Sequence, residues 1–170
     1  DKGAWQQALK KGKPTGKRIA IIGSGPAGLT AAYYLARLGH AATVFEALPE
    51  PGGAMRAYIP EYRLPREVLN SEIEVIKGIG VEIKTNNRID SVDELSKQGY
   101  DAVLVAVGAH QPIKMGIDGE ESPGVIESLS LLRKVNEGQK VSLGDRVAVV
   151  GGGNSAIDAA RVARRQGAKE

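Results

Sequence analysis

Three glycines at the head of one stretch constrain this chain more than any other feature. From Lys17 to Glu46 it reads KRIAIIGSGPAGLTAAYYLARLGHAATVFE. Ile19–Ile22 is an apolar run short enough for a buried strand. Gly23, Gly25 and Gly28 follow in G-x-G-x-x-G spacing, then an apolar-periodic stretch from Leu29 to Leu38 that Gly39 stops. A second run, Ala42–Phe45, ends in Glu46, 18 residues past Gly28. Each part has a physical task. Gly23 permits the tight turn out of the strand, Gly25 lets an anion approach the backbone, and Gly28 lets helix and strand pack closely. The helix N-terminus turns unpaired N–H groups and a positive dipole end toward phosphate. An acid at the tip of the second strand suits a ribose hydroxyl and repels a 2′-phosphate. A lone glycine motif is weak evidence, but strand, turn, helix, second strand and acid in this order predict a dinucleotide site.

The motif returns 128 residues later. Arg146–Val150 (RVAVV) reads as a strand, Gly151-Gly152-Gly153-Asn154-Ser155-Ala156 as a second glycine turn, and Ile157–Gln166 as a helix stopped by Gly167. Ala156 stands in the third glycine position, a permitted variant. The internal repeat predicts a second nucleotide site. A parallel strand needs cover on both faces and neighbours on its edges. One strand and one helix cannot supply them, so the chain reads as a fragment or as completed by another polypeptide. The residue that distinguishes NAD from NADP would follow the next strand.

Between the repeats, Pro49, Pro51, Gly52, Gly53, Pro60 and Pro65 forbid regular structure over a long loop. Such a length inside a compact domain points to function. Arg56 and Arg63 lie in it and could face phosphate or flavin oxygens. Arg66–Gly80 reads as a helix with Val68, Leu69, Ile73, Ile76 and Ile79 on its apolar face. Val81–Lys84 reads as a short strand, Asn86–Asn87 as a turn, Asp93–Gln98 as a brief helix and Tyr100–Val107 as another buried parallel strand ending at Gly108. Residues 111–124 form a Gly/Pro loop, and Ser128 is placed to cap a helix running to Val135. Trp5, Ala8 and Leu9 suggest a short helical turn ahead of a Gly/Pro linker ending at Gly16.

Composition narrows the function. The chain has 170 residues, 42% hydrophobic and 25% charged, as in an ordinary globular protein. Net charge is +3 and only 4% of residues are aromatic, which argues against a nucleic-acid surface. Lys10, Lys11, Lys13, Lys17 and Arg18 cluster ahead of the first strand and read as a solvated linker. The chain has no cysteine, so it holds no thiolate-bound iron–sulfur cluster and no redox disulfide of its own. No apolar run reaches the roughly 18 residues of a membrane helix and no leader peptide is visible, so a cytoplasmic location without membrane contact is the expectation. No metal-ligand spacing appears, Glu120–Glu121 reading as a solvated turn. No catalytic acid or base stands out: His40 follows a helix stop, and His110 sits in a loop just past the strand-end motif.

The segments GSGPAGLTAAYYLARLGH, VFEALPEPGG, IPEYRLPREVL, YDAVLVAVGAH and RVAVVGGGNSAIDAARVA together resemble the glutamate synthase small (β) subunit family of NAD(P)H-dependent FAD oxidoreductases. The same segment occurs in NADH-dependent ferredoxin:NADP oxidoreductase large subunits and in the flavin domains of dihydropyrimidine dehydrogenase. The resemblance covers about Lys17 to Ala168, and IPEYRLP together with GGGNSAIDAAR is more specific than either glycine motif. It implies an α/β chain: a Rossmann-like FAD-binding domain of the glutathione-reductase type, followed by the start of a second, NAD(P)-binding Rossmann-like domain. The corresponding spans are a linker at 1–16, FAD-binding residues 17–112 and nicotinamide-nucleotide-binding residues 113–170. It further implies that Gly23, Gly25, Pro26, Ala27 and Gly28 hold the FAD pyrophosphate and Glu46 its ribose. Gly52 and Gly53 would lie along the flavin, Arg63 and Leu64 would touch FAD, and Ile89 would offer backbone to the adenine. Ala106, Val107 and Gly108 would line the FAD crevice, while Gly151, Gly153, Asn154, Ser155 and Ala156 would take the phosphates of NADPH or NADH. Tyr58 replaces a glycine usual in the family near the flavin. Hydride would pass from nicotinamide to flavin, and electrons onward to an iron–sulfur domain or a partner subunit of a larger reductase or synthase. A subunit that keeps FAD for structure alone carries the same motifs. A self-contained disulfide reductase does not fit a chain without cysteine.

Overall fold

The computed structural model describes residues 10–170. The helical turn expected around Trp5, Ala8 and Leu9 lies outside them. Ten elements run in order: β1 (Arg18–Ile22), α1 (Pro26–Arg37), β2 (Ala41–Phe45), α2 (Ala54–Ala57), α3 (Arg66–Gly78), β3 (Glu82–Lys84), α4 (Val92–Lys97), β4 (Ala102–Val105), α5 (Ser128–Asn136) and α6 (Asn154–Arg165). They divide into two compact units. Among the described residues, one holds 10–55 together with Arg66–Gly108; the other holds Arg56–Pro65 and Ala109–Glu170. The ten-residue segment 56–65, a strap hereafter, therefore groups with the later part of the chain.

The first unit is a four-stranded parallel sheet in the order β3-β2-β1-β4. Alternate residues feed opposite faces, as the two-residue period of a strand requires. Ile21, Ala42 and Val44 join Ala32 and Ala36 of α1 and the Ile79–Val81 corner on one face. Ala20 and Phe45 join Leu95 of α4 and Tyr100 on the other. The small residues Ala32 and Ala36 are fully buried, which lets α1 lie close on the sheet. Glycines at 39, 80 and 99 take positive φ at the ends of α1, α3 and α4, where the sequence places helix stops. Ser91 caps α4, its side chain accepting the N–H of Asp93. Residues 12–15 run along the end of α1, with the N–H groups of Gly12 and Thr15 donating to the carbonyls of Ala36 and Gly39.

Three local expectations need correction. Tyr100–Val107 reads as a buried strand, but only Ala102–Val105 pairs, and Leu104 and Val105 are 39% and 57% exposed. β4 is an edge of the sheet, paired with β1 alone. Ser128 is the first residue of α5 rather than its cap; Glu127 holds that position with no side-chain cap bond. Arg146–Val150 carries no strand ladder. The Val147 N–H donates to the Glu170 carbonyl at 2.9 Å beside its start.

The second unit packs α5 on α6 through Leu131, Leu132, Ala159 and Val162. The strap is fastened to both helices. The Asn136 side-chain amide donates to the carbonyls of Arg56, Ala57 and Ile59 at 3.3, 3.0 and 3.0 Å. Arg63 pairs with Asp158 of α6 at 2.5 Å. The Tyr62 ring lies under the guanidinium groups of Arg165 and Arg161 at 3.9 and 5.3 Å.

Candidate dinucleotide sites

The first glycine turn is fixed by backbone that leaves no room for side chains. Gly23 has φ +103°, and a Cβ there would come within 2.4 Å of the Ala106 carbonyl oxygen. A Cβ on Gly28 would reach 1.9 Å from the Gly23 carbonyl oxygen. On Gly53, at φ +52°, it would reach 2.7 Å from the Gly25 Cα. Gly25 differs, since a Cβ on it meets nothing within 4 Å. The turn is therefore packed from behind and open in front, as a backbone cradle for an anion needs. Gly25 is the N-cap of α1, with no side chain bonded to the helix end. Pro26 has no N–H and Leu29 donates to the Gly25 carbonyl, so Ala27 and Gly28 present their N–H groups at the helix start.

Around this turn the structure gathers Gly52, Gly53, Glu46 and Ala106. The Gly52 N–H donates to both the carbonyl and the Oγ of Ser24, each at 3.1 Å. Glu46 is only 6% exposed. Its Oε2 accepts from the Ser24 N–H at 3.0 Å and from the Ser24 hydroxyl, and its Oε1 accepts from the Leu48 N–H at 2.9 Å. The acid thus braces the turn from within the chain, and a carboxylate has lone-pair capacity beyond these three donors. Ala106 closes the back of the turn; Val107 and Gly108 (φ +70°) continue past it, both exposed. The Ile89 side chain packs on the Ala20–Phe45–Leu95–Tyr100 cluster.

The second turn repeats the first at an offset of 128 residues, down to the hydrogen bonds. Gly151 has φ +116° where Gly23 has +103°. Gly153 caps α6 with φ −76° and ψ 175°, where Gly25 has −73° and −175°, again with no side-chain bond to the cap. Ile157 donates to the Gly153 carbonyl at 3.0 Å as Leu29 does to Gly25 at 2.9 Å. Lys169 donates to the Asp145 carbonyl at 2.7 Å as Ala41 does to Lys17 at 2.9 Å, so the first contact of a parallel strand pair is already made. Gly151 through Ser155 are exposed, and a Cβ on Gly152 or Gly153 would meet nothing within 4 Å. Asn154, Ser155 and Ala156 begin the helix there.

The pyridine nucleotide-disulphide oxidoreductase model matches residues 17–169, both turns included. The chain belongs to that family. Among pyridine nucleotide-disulphide oxidoreductase relatives, it is 47% identical to the NADP(+)-dependent formate dehydrogenase subunit beta of Moorella thermoacetica, covering 99% of this chain and 25% of that one. It is 46% identical to the NADPH-Fe(3+) oxidoreductase subunit beta of Geobacter sulfurreducens, covering 91% and 24%. It is 38% identical to the glutamate synthase [NADPH] small chain of Escherichia coli, covering 97% and 38%. The chain thus spans a quarter to two-fifths of the length of these curated relatives. Among solved structures, Mycobacterium tuberculosis FprA in complex with NADPH superposes with a TM-score of 0.77 at 30% identity, over 88% of this chain and 36% of that one. The Rossmann-like α/β fold expected from the sequence is that of the family. The disulphide in the family's name has no thiol in this chain to act on.

The remaining expected site residues, Arg63 and Leu64, fall in the strap. The Arg63 guanidinium is engaged with Asp158, and the Arg63 and Leu64 N–H groups both donate to the Pro60 carbonyl. Tyr58 and His110 are joined by a 2.7 Å bond between the phenol oxygen and Nδ1. Sequence reading missed Ser24, Asn136, Tyr62 and Asp158. Asp158 alone left a signal: a lone acid on the helix face that Ala159, Val162 and Ala163 make apolar.

Proposed function

We propose that the chain is the two-nucleotide core of an NAD(P)H-dependent FAD oxidoreductase, taking FAD at residues 23–28 and NADPH or NADH at residues 151–156. The observation that carries this reading is the duplicated turn: two uncapped helix N-termini behind open glycine backbones, repeated in dihedral angles and hydrogen bonds. When bound, the nicotinamide supplies a hydride and the flavin accepts it. The protein's part is to bind and to orient. The N–H groups of Ala27 and Gly28 meet one pyrophosphate and those of Asn154, Ser155 and Ala156 the other. Glu46 holds Ser24 and Leu48 in place and turns its spare lone pairs to the adenosine ribose. Gly52, Gly53 and the 106–108 strand end line the crevice beside the first turn. The Ile89 backbone completes the FAD contacts.

The names of the relatives support an electron-passing subunit. With no thiolate of its own to hold a cluster, the chain would hand electrons to an iron–sulfur domain or a partner subunit, in the cytoplasm where reduced nicotinamide is supplied. Among the described residues no helix is long and apolar enough to cross a membrane. The decisive experiment is the visible spectrum of the intact protein carrying this chain, after addition of FAD and removal of excess, followed by anaerobic NADPH or NADH. Retained flavin absorbance that the reduced nucleotide bleaches is the expected result. Absence of flavin overturns the first site. Retained flavin that neither nucleotide bleaches leaves a purely structural FAD subunit.

A further inference from the structure

Asp158 lies at the fifth position of α6 and only 5% of it is exposed. Ala159, Val162 and Ala163 of the same helix are also buried, and Ala159 and Val162 pack on Leu131 and Leu132. An apolar side chain would satisfy that packing, and a buried carboxylate is costly unless it is paired. The pairing comes from the strap: Arg63 donates to one carboxylate oxygen at 2.5 Å, and the Tyr62 hydroxyl reaches the other at 3.4 Å. The Arg63 head is itself half-exposed.

The position of this carboxylate matters for the end of the helix. Asp158 is four residues past Asn154, about 6 Å along the axis. Side chains on a helix lean toward its N-terminus, so the carboxylate sits below the end that presents its N–H groups. An unpaired negative charge there offsets the positive potential of the helix end and repels any phosphate the turn receives. Arg63 cancels it. We propose that Arg63 is a positioning residue for the second nucleotide site: it neutralises Asp158 so that the 151–156 turn accepts an anion. This rests on the nucleotide-binding reading of that turn.

The test is equilibrium titration of the intact, FAD-loaded protein with NADP+ at low and at moderate salt, using the wild type, Arg63→Gln, Arg63→Lys, Asp158→Asn and the double variant Arg63→Gln/Asp158→Asn. Arg63→Gln is expected to weaken binding about tenfold or more, with the deficit shrinking as salt screens the field of the uncompensated carboxylate at the open turn. Arg63→Lys stays within a few-fold of wild type. Asp158→Asn binds as well as wild type or better, and it restores the Arg63→Gln loss in the double variant. A merely mechanical tether gives the opposite pattern: Asp158→Asn weakens binding as much as Arg63→Gln, the double variant recovers nothing, and Arg63→Lys offers no rescue. That pattern, or equal binding by Arg63→Gln and wild type, overturns the proposal. If the wild type binds no nicotinamide nucleotide, it is the assignment of the second turn that fails.

Discussion

Burying an acid requires donors, and Glu46 finds three of them within its own chain, two on Ser24 and one on Leu48. Asp101 shows the same chemistry at the surface. It accepts from the Arg18 N–H and from the Lys17 ammonium, both at 2.8 Å, where β1 starts beside β4. The Arg18 N–H first, and then Lys17, hold its carboxyl below the usual carboxylate value. A folded-state value below the unfolded one contributes stability that is fully present above about pH 4 and is lost as pH falls through the lowered value. Urea midpoints should therefore separate wild type from Asp101→Asn at neutral pH and converge in acid. The difference is small, because exposed pairs contribute little. A gap that persists unchanged at low pH would rule out this account.

At the scale of elements, the strap depends on α5 as much as on α6. The Asn136 amide spans three carbonyls that no strand or helix satisfies. Asn136→Ala leaves part-buried acceptors without their donor, at a cost of about 1–3 kcal/mol. Denaturant unfolding should show that loss, together with faster proteolytic cleavage within residues 56–65. A normal midpoint would mean that water replaces the amide at no cost. Elements such as α1, α3 and β2 were legible in the sequence because their information is local: apolar period, a glycine stop, a proline at a helix start. The strap was not legible. Its partners on α5 and α6 lie from 77 residues away (Asn136–Ile59) to 103 (Arg165–Tyr62), and such pairs leave no periodic trace. Local signals can also mislead by one place. Ser128 has the chemistry of a cap, but the entering chain puts Glu127 there.

For the molecule as a whole, the first unit is organised around β1, which is paired on both sides, by β2 and β4. Hydrogen exchange followed by mass spectrometry on the intact protein should place the β1 amides among the slowest of that unit. Exchange from β1 as fast as from the 111–124 loop would rule that out. The site followed the same division between local and distant information. The glycine turns at 23–28 and 151–156 were legible because a tight strand-to-helix turn needs glycine at set intervals. Which side chains brace that cradle was not, because any residue of suitable polarity brought there by the fold could do it.

The two turns also differ in what they tolerate, and that makes them unequal templates. A methyl at position 28 strikes the Gly23 carbonyl oxygen, whereas the methyl of Ala156 sits at an ordinary 3.6 Å from where a Gly151 Cβ would stand. A graft between the two would therefore work in one direction only. The first loop's glycine can be written into the second at the loss of a single methyl, but the second loop's alanine cannot be written into the first. The constraint at this one position is one-sided: the second copy accepts glycine or alanine there, while the first is held to glycine.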